Sequence, residues 1–157
     1  MKTTKIIFLL AFIFGSFICN AQEVNQKLLV KFDANELKEM KKTNVENLNF
    51  LEYYVSEALY FVPVPDKHVN YKELVRINPK TKAVSENQTI TQADIDDFNP
   101  LEYDISYEPD RYTYYLAGNT GMLLVVPSQR DLKLGSDNRV KSLKLQQTQQ
   151  LDKINKK

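Results

Sequence analysis

Histidine is the side chain best suited to moving protons near neutral pH, and this chain has one, His68. It follows Pro65-Asp66-Lys67 in a stretch that reads as loop, so a lone exposed imidazole is the plain reading beside any catalytic or metal role. A zinc site would have to join His68 to carboxylates alone, a poor match to the usual nitrogen and sulfur ligand sets. No Gly-x-Ser-x-Gly stretch supplies a nucleophile elbow. Asp94, Asp96, Asp97 and Asn99 form the one acidic cluster and invite a calcium reading. The helix-loop-helix calcium pattern needs an oxygen ligand at its fifth position and glycine at its sixth, and Phe98 and Asn99 stand there. A solvated helix start, with acids complementing the dipole, fits better.

Carboxylate pairs such as Asp104 with Glu108 or Asp110 are the groups that cut glycosidic bonds. Sequence does not fix their separation, and 19 acidic side chains over residues 22–138 make chance pairs certain. Asn87-Gln88-Thr89 matches a glycosylation sequon, a short pattern that matters only in a eukaryotic host. Glycine-rich phosphate loops and basic clusters interleaved with aromatics are missing from the sequence, which disfavours nucleotide cofactors and nucleic acid.

Tyrosine carries more information. Five of the nine, Tyr103, Tyr107, Tyr112, Tyr114 and Tyr115, gather in one sheet-forming region. In a strand Tyr112 and Tyr114 point one way and Tyr115 the other. An aromatic face left open on one side would bind glycan, peptide or a protein partner. Ordinary cross-strand packing is the competing reading. These five are the candidate binding residues.

The elements that must position them follow from punctuation and period. Tyr112 to Val126 reads as a hairpin: two apolar runs flank Gly118-Asn119-Thr120-Gly121, and Pro127 ends the second. A type I turn at Asn119-Thr120, with Gly121 at positive φ, suits that connector. Upstream, Lys27 to Phe32 reads as a first strand. Asp33 and Glu36 stand in capping-box relation at the head of a helix, and Asn44 serves as its stop or the next cap. Leu48, Leu51, Val55 and Ala58 then recur at helical spacing on a stripe that should cover a sheet. Leu59 to Val62 runs into Pro63 and Pro65, which confines it to an edge strand or an extended exit. Asn78-Pro79-Lys80-Thr81 predicts a tight reversal, Thr91 to Asp94 a capped short helix closed by Asn99-Pro100, and Tyr103 to Tyr107 a further strand. From Lys133 the expectation is a linker, then a frayed polar segment whose apolar stripe of Val140, Leu143, Leu151 and Ile154 is interrupted at Gln147.

Address and charge complete the picture. Lys2 and Lys5, an apolar run from Ile6 to Ile18, and Cys19-Asn20-Ala21 before Gln22 together read as a signal peptide over 1–21. That run falls short of the roughly 20 apolar residues that span a bilayer. Lipidation at Cys19 is the alternative to cleavage after Ala21, although Ile18 is larger than the residue such processing normally follows. The remaining 136 residues contain no cysteine, so disulfides, thiolate metal sites and cysteine nucleophiles are excluded there. Residues 22–138 carry 13 basic and 19 acidic side chains, net −6, whereas residues 139–157 carry 6 and 1, net +5. That basic segment is drawn to an acidic partner, to anionic lipid, or back onto the acidic body.

The resulting expectation is a single α+β domain over 22–134 with a basic tail at 135–157. It has a small antiparallel sheet, two N-terminal helices packed on one face, and a central hairpin at 112–126. The expected function is an exported, non-catalytic binding or accessory protein of the bacterial cell envelope, periplasmic, associated with the outer membrane or secreted. It works through protein or glycan contacts, with no cofactor and no metal. A small carboxylate-dependent hydrolase of envelope polysaccharide is the alternative.

Overall fold

The computed structural model describes residues 25–155, with side chains as far as residue 149. The expected signal peptide and Cys19 lie outside the described residues. The N-terminal half is built by caps. The Asp33 carboxylate accepts from the backbone N–H of Asn35 and Glu36, each at 2.8 Å, while Glu36 accepts from the Asp33 N–H at 2.7 Å. This closes the capping box of helix α1 (Ala34–Thr43). Asn44 then does two jobs. Its N–H bonds the Met40 carbonyl to end α1, and its side chain accepts from Asn47 N–H to open α2 (Val45–Ser56).

The run Lys27 to Phe32 is not a strand. A 3₁₀ turn spans Gln26–Leu28, and further turn bonds carry it to Phe32. Asn25 caps the turn by accepting from Lys27 N–H, and the turn drives Leu28 fully into the helical layer. A short apolar run is equally satisfied by such a turn, because period alone does not distinguish the two.

Four strands form one sheet: β1 (Tyr60–Pro63), β2 (Lys72–Glu73), β3 (Thr113–Leu116) and β4 (Met122–Val126), in the order β1-β4-β3-β2. The hairpin β3–β4 is the centre, and β1, with its proline, is an edge. The β1–β4 and β3–β4 pairings are antiparallel, but β2 pairs parallel to β3, so the sheet is mixed. Segment 64–71 has to cross from one edge of the sheet to the other, and β2 arrives running in the same direction as β1. The hairpin turn is centred one residue earlier than its sequence suggests. Thr120 N–H bonds the Ala117 carbonyl, and both Gly118 (φ +53°) and Gly121 (φ +73°) take the left-handed conformation that glycine adopts freely.

Between the two pairs of strands lie the reversal at Asn78, where Ile77 bridges Val84, and the capped helix α3 (Gln92–Asp96). Tyr103 bridges Arg76, but the strand expected over Tyr103 to Tyr107 goes no further. Its backbone has another partner: the Tyr115 hydroxyl accepts from Ser106 N–H at 2.8 Å and donates to the Ser106 carbonyl at 3.2 Å.

The largest departure from expectation is at the C-terminal end. Helix α4 (Gln129–Asn155) replaces the linker and frayed segment, so the boundary placed at about 134 falls inside a helix. Ser128 caps it by accepting from Asp131 N–H. Leu132, Gly135, Ser136 and Arg139 recur on one side of α4, and that side is docked on the body. The Tyr53 ring of α2 sits on Gly135, and the Arg139 guanidinium bonds Glu52 (3.3 Å) and Glu57 (2.7 Å). The basic segment thus begins by folding back on the acidic body. No helix among the described residues is long and apolar enough to cross a membrane.

Two apolar clusters make the core. One joins Leu28, Leu37, Leu48, Val55 and Leu132 within the helical layer. The other joins Tyr115, Ala117, Leu124 and Val126 of the sheet to Leu74, Ile90 and Tyr103. Leu59 packs against both. Tyr54 and Val55 of α2 line one cleft with Phe61 of β1, so the helices lie on the side of the sheet that carries Phe61 and Tyr115.

Candidate binding surface

The alternation of β3 divides the predicted tyrosines between two environments. Tyr115 is 2 % exposed, and its hydroxyl is taken up by Ser106. Tyr103, at 4 %, stacks on Phe98 with ring centres 5.0 Å apart, and the Arg76 guanidinium lies 5.4 Å from its ring. Burial raises the Tyr103 phenol above its ordinary pKa. Both are core residues rather than surface ligand groups. Tyr107 and Tyr112 are exposed and Tyr114 is half-buried.

The opposite face of the sheet is a different surface. Register aligns Tyr60 of β1, Val125 of β4 and Tyr114 of β3 in one row across three strands. Tyr60 and Tyr114 therefore stand about 10 Å apart, two strand spacings, with buried Val125 between them. Tyr112 stands just before β3, near enough to Tyr53 of α2 to add to burial and Glu57 in raising that phenol. Lys72 reaches over the Tyr115 ring, so the preceding residue, Tyr71, turns to the Tyr114 side. Tyr60, Tyr71 and Tyr112 are 51 %, 47 % and 45 % exposed. Segment 64–71 crosses this same face. Val64, His68, Val69 and Tyr71 surround a depression of about 250 Å³ to which Leu123 contributes. His68 is exposed there.

Sequence reasoning named Tyr114 and missed Tyr60 and Tyr71. The signal for Tyr60 was present, because an edge strand ending in proline must pair with a hairpin strand on its other side. Tyr71 depends on where segment 64–71 lands, which no local pattern encodes.

The acidic cluster is engaged in holding the fold. Asp94 closes the capping box of α3 with Thr91 and pairs with Arg76 at 2.9 Å. The Arg76 hydrogen bond, helped by the Thr91 N–H and hydroxyl, holds the Asp94 carboxyl down at about 2. Asp96 accepts from Gln92 at 2.8 Å, and the buried Asn99 amide donates to the Lys27 carbonyl at 2.9 Å. Asp94, Asp97 and Glu102 do share a cleft of about 360 Å³ with Lys27, Asn99 and Tyr103. Asp94 enters it as a fixed anion, not as a proton donor. No group of three or more metal-ligating side chains occurs among the described residues.

The tyrosine face can therefore offer flat ring surface edged by hydroxyls, without a formal charge in the row itself. No family model, curated protein or solved structure matches this chain.

Proposed function

We propose that this chain is an exported, non-catalytic binding protein of the bacterial cell envelope, and that it holds a protein partner against the tyrosine face of its sheet. The observation that carries the reading is the row Tyr60, Val125 and Tyr114, flanked by Tyr71. Tyrosine brings a large rigid contact area with few rotatable bonds and a hydroxyl that can bond across an interface. Export and compartment rest on the sequence of residues 1–21. The depression beside Leu123 is sized for one anchoring side chain of such a partner.

Photo-crosslinking in the envelope tests this. A benzophenone side chain at Tyr60 or Tyr71 should yield one discrete protein adduct, whereas the same group at exposed Val84 on the reversal should not. Equal adduct patterns from all three positions would reject the surface. Release of reducing ends from envelope polysaccharide, abolished by Asp97→Asn or Glu102→Gln, would replace the reading with the hydrolase alternative.

A further inference from the structure

Helix α4 outruns the body that anchors it. Its first turns are docked through Leu132, Gly135, Ser136 and Arg139, Val140 and Leu143 are half-buried, and every residue from Lys144 to Gln149 is exposed. The helix continues to Asn155, which carries it about 18 Å past residue 143. An exposed helical arm is marginal in water by itself. This one is already nucleated by its docked half.

The arm has a self-complementary pattern. At helical period Val140, Leu143, Gln147, Leu151 and Ile154 fall on one side of α4. They stand seven and four residues before Gln147 and four and seven after it, so the stripe has the same spacing from either end. We propose that the projecting half of α4 pairs antiparallel with the same segment of a second copy of this chain, about a two-fold axis at Gln147. A two-fold contact requires that whatever residue i meets, its mate meets residue i. In that register position 140 falls opposite position 154 of the other copy, and position 143 opposite position 151. The Gln147 amide, donor and acceptor at once, pairs with itself. Such a central polar residue fixes register and orientation, as a buried amide does in helical pairs.

Charge selects the same arrangement. Residues 139–157 carry net +5 and residues 22–138 net −6. An antiparallel crossing brings each basic arm toward the acidic body of the other copy, where Glu52 and Glu57 already bind Arg139. A parallel pair would instead carry both basic arms away from the two acidic bodies. Beside the seam, Lys144 falls opposite Gln150, while Lys141 falls opposite Lys153 further out toward solvent. A membrane is the poorer occupant, since residues 129–157 contain no aromatic residue and the lysines are spread around the helix.

Sedimentation of the full exported chain should show the mass doubling as concentration rises. Gln147→Glu sets two carboxylates across the axis and should weaken dimerisation at least about tenfold at neutral pH, with recovery in acid, while Gln147→Leu should strengthen it. Residue 147 is exposed, so neither change should disturb the monomer, and circular dichroism checks this. In a Cys19→Ser background, Leu143→Cys chains mixed with Leu151→Cys chains should form a disulfide-linked pair on mild oxidation. Four results overturn the proposal: a monomer at every concentration, a dimer indifferent to residue 147, Leu143→Cys linking efficiently to itself, or a monomer that instead co-sediments with phosphatidylglycerol vesicles through the arm.

Discussion

Replacing Gly135 with alanine should destabilise the protein, although the same change in a free helix would stabilise it. Within α4, alanine at 135 gains about 1 kcal/mol of helix propensity over glycine. An alanine Cβ at this position would fall on the Tyr53 hydroxyl, with the ring Cζ at 2.5 Å and Cε1 at 3.0 Å. Moving the hydroxyl alone does not clear the ring carbons, so the whole ring must swing away from α4. Losing on the order of 100 Å² of apolar contact costs about 2.5 kcal/mol at the usual transfer coefficient. The difference leaves Gly135→Ala destabilising by about 1.5 kcal/mol. Urea unfolding of four chains (wild type, Gly135→Ala, Tyr53→Ala and the double variant) isolates the contact. Once Tyr53 is truncated nothing opposes the methyl group, and Gly135→Ala should then stabilise by about 1 kcal/mol. The sign of one substitution should therefore invert with the residue at 53. If Gly135→Ala raises stability equally in both backgrounds, the helices do not dock through this notch.

Arg139→Ala should cost about 1–3 kcal/mol in the same assay, more than an exposed ion pair is worth. It strips the cation from Glu52, whose side chain is only 14 % exposed, so little water is at hand to replace it. A loss within error would place Arg139 in solvent. The Asp94 carboxyl is held at about 2, below its ordinary 3.8. A depressed folded value means its contribution is complete above about pH 4 and drains away as pH falls toward 2. Asp94→Asn should therefore flatten the fall in melting temperature across that window, and parallel curves for the two chains would count against the pairing with Arg76.

Where a single residue type carries the local physics, the sequence was enough. Asp33 with Glu36, the double role of Asn44 and Thr91 with Asp94 each satisfy orphan N–H groups that any helix start leaves open, so their spacing alone locates α1, α2 and α3. Pro63 likewise marks β1 as an edge. The α+β class, the leading pair of helices and the central hairpin are the outcome of such local rules. The linker expected from Lys133 failed for the converse reason. Glycine at 135 opposes helix locally, yet its missing side chain is what lets α2 and α4 approach, and tertiary contact overrides propensity. Lys27 to Phe32 failed similarly, because burying Leu28 is equally favourable in a strand or a turn.

The tyrosine surface shows where local reading stops. Alternation separates Tyr114 from Tyr115, because side-chain parity is a property of the strand itself, and it stops short of Tyr112, which precedes β3. Parity does not say which face the rest of the chain will cover. That depends on segments 74–77 and 90–105, which close over Tyr115, and on segment 64–71, which crosses the other face while leaving Tyr60 and Tyr71 exposed. Covering the Tyr115 side also consumes Tyr103, whose stacking on Phe98 and pairing with Arg76 make it part of the cover. One crossing thus decides both outcomes: it sends Lys72 onto the Tyr115 ring, fixes β2 parallel to β3, and turns Tyr71 outward beside Tyr114. The direction of that eight-residue connection, more than any tyrosine, determines the surface this protein has to offer.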